Sequence, residues 1–458
     1  MMICPRTAIV LLPLVVAPSV APAQSLSARL DSTMRVAERA GFSGVVRIER
    51  AGVTLLEQGY GFANRAEKTP FTPATVVQIG SNTKDFTAVA ILQLQQAGKL
   101  SMNDSIGRYF AGAPADKRDI TLRQLLNHRA GFPLGIGGDF EPLSRQALVQ
   151  RAMATPLLFT PGARESYSNT GFSLLAAIIE QVTANTYDVY VDHAILAPLG
   201  LHRTGFLLPG FAANDLAHGY LAQGTDQGTM LAKPHAADGP YWNLRGNGGM
   251  LSTVSDMHTF YVELFEGEKL MTPATRAFRF NPNEPIGLSG SDGVNFFLYD
   301  RFPMMRTEII IASTNAASKA PQIRRALGKV LGLPDPDGDG GEGVARRPGG
   351  KPAPAALVNT LTDFVQRINA GDTGSLRTFI VEHFVSEPGA PTIDERVQRI
   401  GGMHETLGRL VIEAIETFDD GAVEMRLVSA VQGVVVVRVI ADPTGPFRIR
   451  GLQFRVGG

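Results

Sequence analysis

The spacing of apolar positions changes along the chain, and the changes divide it. Ser25 to Gly41 carries apolar residues at helical spacing and predicts an amphipathic helix. GFSGVVRIERAGVTLLEQGYGFAN, next in line, predicts two strands joined by a turn near Ala51-Gly52. In residues 78–100, QIGSNTKDFTAVAILQLQQAGKL, the run from Phe86 to Leu92 is apolar on almost every side. That pattern predicts a helix buried all round, with Gly98 as its C-terminal cap. A mixed, mostly helical stretch continues to about Gly205. GVNFFLYDRF and EIIIASTNA then predict a closing pair of strands, followed by a helix over Lys319–Leu331. Strands at both ends of a helical middle imply one α/β unit of the α+β type. Its sheet would be mostly antiparallel and flanked by helices, with a helical subdomain.

Residues 333–355, beginning LPDPDGDGGEGVARRPGGKPAP, hold proline, glycine and charge with almost nothing to bury, and read as a linker. Residues 356–458 predict a second unit. ALVNTLTDFVQRINAGD, LRTFIVEHF and TIDERVQRIGGMHETL read as helices; RLVIEAIETFDD, GAVEMRLVSAV, GVVVVRVIADP and FRIRGLQFRV read as four strands. Three helices before an antiparallel meander resembles the cone-shaped NTF2-like fold, on pattern alone and with no motif, which implies an accessory or dimerisation role.

Composition narrows the chemistry. The 458 residues have no net charge, so electrostatics favours neither nucleic acid nor an anionic membrane as partner. Residues 1–23 resemble a cleaved secretory signal: Arg6 leads, Thr7 to Val20 is uncharged and apolar, and Ala21-Pro22-Ala23 offers a small-residue cleavage site. Export to the periplasm or medium follows, with no membrane span in the mature chain, since the apolar stretch is shorter than the roughly 20 residues a span needs. Cys4 is the one cysteine. The mature chain from Gln24 onward would hold no thiols, which excludes disulfides, cysteine nucleophiles and cysteine metal ligands.

The chemistry must then come from hydroxyls, carboxylates, amines or histidines. Ser81 and Lys84 stand three residues apart at the head of the buried helix. A serine needs a nearby base, and a lysine held neutral by burial and by the positive potential of a helix start can be one. Tyr167-Ser168-Asn169 lies before a second apolar helical run, in PGARESYSNTGFSLLAAIIEQVT. A tyrosine aimed at Ser81 could share its proton with Lys84, and the Asn169 amide can both donate and accept. The same Tyr-x-Asn spacing occurs at Tyr241-Trp242-Asn243, without the Pro-Gly approach and the following helix.

These segments, with ITLRQLLNHRAGFP, APLGLHRTGF and GNGGMLSTVSDM, stand in an order and spacing that resembles the β-lactamase-related serine hydrolases. That family includes class C β-lactamases, D-Ala-D-Ala carboxypeptidases and esterases. The resemblance covers about Ser25 to Leu333, within a first domain read as residues 24–332. It implies Ser81 as the acylated nucleophile, Lys84 and Tyr167 as its proton-handling partners, and Asn169 as a substrate-binding and lysine-positioning residue. His128 and Gly131 fall in a recurring segment that reads as scaffold. No metal or organic cofactor is implied, and the partner is a small ester, amide or peptide substrate.

The family's third motif, Lys-Thr-Gly or His-x-Gly, corresponds here to Leu288-Ser289-Gly290. Leu288 cannot attract a carboxylate, which β-lactams and D-Ala-D-Ala peptides both present, so the resemblance is pulled toward esters or small amides. Ser289, Gly290 and Ser291 would line the substrate, and the backbone N–H groups of Ser81 and Ser291 would form the oxyanion hole.

Overall fold

A computed structural model of the chain describes residues 25–316, 318, 320–333, 351–385, 391–407, 409–418, 423–429, 433–441 and 448–456. The expected signal segment and residues 334–350 of the expected linker lie outside these residues. Contacts divide the chain after Leu331 into two units.

The first unit is built on five strands: β1 (Gly44–Arg50), β2 (Val53–Tyr60), β3 (Ile286–Ser291), β4 (Phe296–Phe302) and β5 (Thr307–Ser313). Their order in the sheet is β2-β1-β5-β4-β3, and every neighbouring pair is antiparallel. Ala51 and Gly52 turn β1 into β2 with φ of +54° and +79°. Two left-handed residues give the turn that matches strand twist in a two-residue hairpin. The two ends of the unit meet where Gly44 pairs with Ser313.

Helix α1 (Leu26–Arg39) packs against β2, and α2 (Thr83–Gln96), α3 (Leu122–Leu126), α4 (Arg145–Ala154) and α5 (Asn169–Thr183) form the helical middle. Helix α6 (Val254–Glu266) packs on β1 and β5, and α7 (Ala320–Leu331) packs with α1. Strand alternation divides the burial: Val45, Ile310 and Ala312 join the cluster holding Phe86 and Phe260, while Val46, Ile48, Ile309 and Ile311 are buried on the other face. Helix α2 is buried from Thr83 through Leu92, as its sequence predicts, and Phe86 stacks on Phe260 with centroids 4.0 Å apart. It ends at Gly98, φ +67°, where the Lys99 N–H closes on the Leu94 carbonyl at 2.9 Å. The fold is thus an α/β architecture with an antiparallel sheet flanked by helices.

The second unit has helices α8 (Ala355–Ala370), α9 (Thr373–His383) and α10 (Ile393–Leu407), then strands β6 (Leu410–Thr417), β7 (Val423–Ser429), β8 (Gly433–Ala441) and β9 (Ile449–Val456) in an antiparallel meander. Lys351–Pro352 adds a short pairing to the β6 edge. Leu361, Phe364, Phe379, Met425, Val435 and Val437 make its separate core. Among the described residues, no helix is long and apolar enough to cross a membrane.

Candidate active site

Ser81 lies in a single 3-10 turn, Gly80–Asn82, that runs directly into α2. Three residues per turn bring positions i and i+3 into line, and Ser81 and Lys84 meet by that geometry. The Lys84 Nζ lies 3.1 Å from the Ser81 Oγ. The Tyr167 hydroxyl lies 2.8 Å from the same oxygen. One serine oxygen therefore has an amine and a phenol within hydrogen-bond reach.

Tyr167 is fixed by backbone clamps on either side. The Ser166 N–H donates to the His128 carbonyl at 2.8 Å and the Asn169 N–H to the Leu134 carbonyl at 2.7 Å. His128 accepts the Ser168 N–H on its Nδ1 at 3.1 Å, and its ring lies 4.5 Å from the Tyr167 ring. Burial, reinforced by the charges of Arg279 and Lys84, brings the His128 pKa down to about 4. A neutral His128 is thus a support for Tyr167, in keeping with its scaffold reading.

Asn169 starts α5, but Ser168 caps the helix, its Oγ accepting the Gly171 N–H at 3.2 Å. The Asn169 Oδ1 is buried and accepts no hydrogen bond among the described residues. No bond joins Asn169 to Lys84. The Asn247 carbonyl takes that place, accepting from Lys84 Nζ at 2.7 Å. The sequence singled out GNGGM as a segment and not Asn247 as a residue, because any residue type supplies a carbonyl. The second Tyr-x-Asn is part of the framework, with Asn243 Nδ2 donating to the Gly138 carbonyl and to Glu141 at 3.0 Å each.

Opposite α2 runs β3, at the edge of the sheet. A Cβ on Gly290 would stand 2.2 Å from the Ile79 carbonyl oxygen and 2.5 Å from the Ser81 nitrogen. A Cβ on Gly80, whose φ is +52°, would stand 2.8 Å from the Ser291 nitrogen. The two glycines let strand and turn touch backbone to backbone, which brings the Ser81 and Ser291 nitrogens together. Ser289 and Ser291 are exposed; Leu288 is half-buried and packs against the main core.

The electrostatics separates the two side chains that reach Ser81. Lys84 is 5% exposed, and burial brings its pKa down to about 7 against the opposing pull of Asp85 and Asp139. Tyr167 is 45% exposed as a residue, yet burial of its phenol pushes its pKa up. Near neutral pH Lys84 therefore supplies a free amine while Tyr167 keeps its proton. Asp139, in the 131–143 loop, is itself pushed up by burial and by Asp292. Among the described residues, no cluster of three His, Cys, Asp or Glu could hold a metal ion.

The chain belongs to the Beta-lactamase family, whose profile matches residues 30–304. That family comprises serine hydrolases. Protein flp of Staphylococcus aureus strain COL is 31% identical over 197 residues, 41% of this chain and 39% of that protein. The chain thus spans well under half the length of that relative. The putative penicillin-binding protein PbpX of Bacillus subtilis strain 168 is 30% identical over 258 residues, 56% of this chain and 62% of its own length. The structure of EstCE1, titled a hydrolase with promiscuous acyltransferase activity, superposes with a TM-score of 0.56 at 21% identity. It covers 67% of this chain and 98% of its own.

Proposed function

We propose that the protein is an exported serine hydrolase that acts through an acyl-enzyme on Ser81, on esters or small amides. The observation that carries this reading is the convergence of Lys84 Nζ and Tyr167 OH on the Ser81 Oγ. Lys84, half neutral at its pKa of about 7 and largely neutral above it, takes the Ser81 proton as the oxygen attacks the substrate carbonyl. The Ser81 and Ser291 N–H groups hold the oxyanion. The proton passes from Lys84 through Tyr167 to the leaving oxygen or nitrogen, and the C–O or C–N bond breaks to leave an ester on Ser81. Water then attacks that ester, giving its proton back along the same path, and Ser81 is released.

The half-buried Leu288 at the usual cationic position supports neutral substrates over carboxylate-bearing ones. A second reading, D-Ala-D-Ala carboxypeptidase or β-lactam turnover, draws on the relative named as a penicillin-binding protein. A binding or sensor protein without turnover is the non-enzymatic alternative. The second unit, three helices before a meander, fits an NTF2-like accessory role.

The test is turnover of a nitrophenyl acyl ester and of a chromogenic cephalosporin, with intact-mass detection of an acyl adduct. Ser81→Ala is expected to lose at least ~10³-fold of ester turnover and all of the adduct. Ester turnover that survives Ser81→Ala would overturn the reading. Cephalosporin turnover exceeding ester turnover would favour the second one, and adduct without turnover the sensor.

A further inference from the structure

Three successive backbone carbonyls behind Lys84 are each taken by a helix side chain. Ser173 Oγ, on α5, donates to the Arg245 carbonyl at 3.0 Å. Thr87 Oγ1, one turn beyond Lys84 on α2, donates to the Gly246 carbonyl at 2.7 Å. Lys84 Nζ donates to the Asn247 carbonyl at 2.7 Å. The Asn247 side chain closes the turn, its Nδ2 donating to Ser173 Oγ and to the Asn243 carbonyl, both at 2.8 Å. Gly246 has φ +78°, and a Cβ there would stand 2.6 Å from the Ala176 Cβ, so the turn lies directly on α5.

Arg245 anchors this turn. Its side chain is 1% exposed, the largest of the fully buried side chains. Its guanidinium makes a two-pronged bond to Asp238 at 2.8 and 3.0 Å. It also reaches Glu180 on α5 at 3.1 Å and the Pro240 carbonyl at 3.0 Å. A buried cation satisfied on every side resists displacement, because removing either partner leaves an uncompensated charge. That rigidity lies two residues from the carbonyl that holds Lys84.

We propose that Arg245 is a positioning residue: through the Arg245–Asn247 turn it holds the Asn247 carbonyl against Lys84 and so aims the amine lone pair at Ser81. A neutral amine has two hydrogens and one lone pair, and fixing one hydrogen on a rigid carbonyl limits where the lone pair can point. The proposal rests on the reading of Lys84 as base to Ser81. The turn also seals one side of the lysine from water. Asp85 beside it on α2 and Asp139 in the 131–143 loop favour the ammonium; the neighbouring Tyr167 carries no charge at neutral pH, and His128 none above about pH 4. Burial is the effect that holds the amine neutral, and it depends on the seal.

The experiment follows the Lys84 side-chain signal by NMR titration, assigned by its loss in Lys84→Ala, in the wild type, Asp238→Asn and Ser173→Ala. Asp238→Asn weakens the anchor by neutralising one of the guanidinium's two carboxylates, and Ser173→Ala removes a bond to the turn without touching the guanidinium. Near-UV circular dichroism checks folding, and Thr87→Val replaces a variant that unfolds. The wild-type midpoint is expected near 7, and the variants' higher by about one unit as water reaches the amine. Ester turnover at pH 7 should then fall about fivefold, as the free-amine fraction does, and recover at pH 9. Unshifted midpoints in folded variants, or a loss of turnover that is uniform in pH, would overturn the proposal. Shifted midpoints without any Ser81-dependent turnover would instead leave the positioning intact and sink the hydrolase reading.

Discussion

The two walls beside Ser81 are built from different parts of the chain's chemistry. On the α2–α5 wall, the proposed function resides in side chains: Lys84 and Tyr167 reach Ser81, and Lys84 is held by a buried bond to the Asn247 carbonyl. On the β3 wall it resides in backbone, admitted by Gly80 and Gly290, while the β3 side chains are exposed or half-buried. The first wall should therefore respond to loss of a functional group, and the second to added bulk.

The largest effect belongs to the side-chain wall. Lys84→Ala removes the base and is expected to slow ester turnover by about 10³-fold or more, with burst kinetics placing the loss in acylation. Gly290→Ala is the matching test of the backbone wall. Its new Cβ would meet the Ile79 carbonyl and the Ser81 nitrogen, both backbone, so the strand must move away. Losing one oxyanion donor costs about 10²–10³-fold in kcat. Ser291→Ala, which keeps the N–H, is expected within about twofold of wild type by the same reasoning. Equal losses in the two β3 variants would break the comparison.

How far each wall could be read from sequence follows the same division. Ser81, Lys84 and Tyr167 were legible because their side chains are specific and their segments keep a fixed order. The partner of Lys84 was not legible: it is a carbonyl 163 residues away, which any residue could supply. Asn169 was expected to bind substrate and position Lys84; its Oδ1 is buried and has no hydrogen-bond partner among the described residues. Arg245 gave no signal, because its partners Asp238 and Glu180 stand on separate segments. β1, β2, β4 and β5 were legible as apolar runs, and β3 only through the resemblance, whereas the pairing of β1 with β5 depends on a closure across the whole unit that no local pattern encodes.

Leu288 tests whether β3 carries any side-chain specificity. Leu288→Lys places a cation at a half-exposed position beside the cleft. An exposed ion pair contributes up to about 1 kcal/mol, so the preference for a carboxylate-bearing ester over its neutral analogue should rise about fivefold at most. An unchanged ratio would mean that the side chain at this position does not face substrate.

The smallest effect is the one that tests how the side-chain wall is tuned. Asp85 is buried beside Lys84, accepts the Tyr261 hydroxyl at 2.8 Å, and has its pKa pushed by burial from 3.8 to about 6. At neutral pH its negative charge favours the Lys84 ammonium. Asp85→Asn keeps an acceptor for Tyr261 and removes the charge, so the Lys84 pKa should fall below 7. The ascending limb of the pH–rate profile then moves toward acid by about half a unit. Stability supplies an independent reading of the same group. Because the folded-state pKa lies above the unfolded one, the folded state binds more protons between pH 3.8 and about 6, and Asp85 loses stabilising effect as pH rises through that window. Asn does not titrate, so the melting temperature of the variant relative to wild type should climb from pH 4 to pH 7. A limb that does not move toward acid would mean that the Asp85 charge does not act on Lys84, and a melting difference that stays flat across that range would mean that burial does not raise the Asp85 pKa.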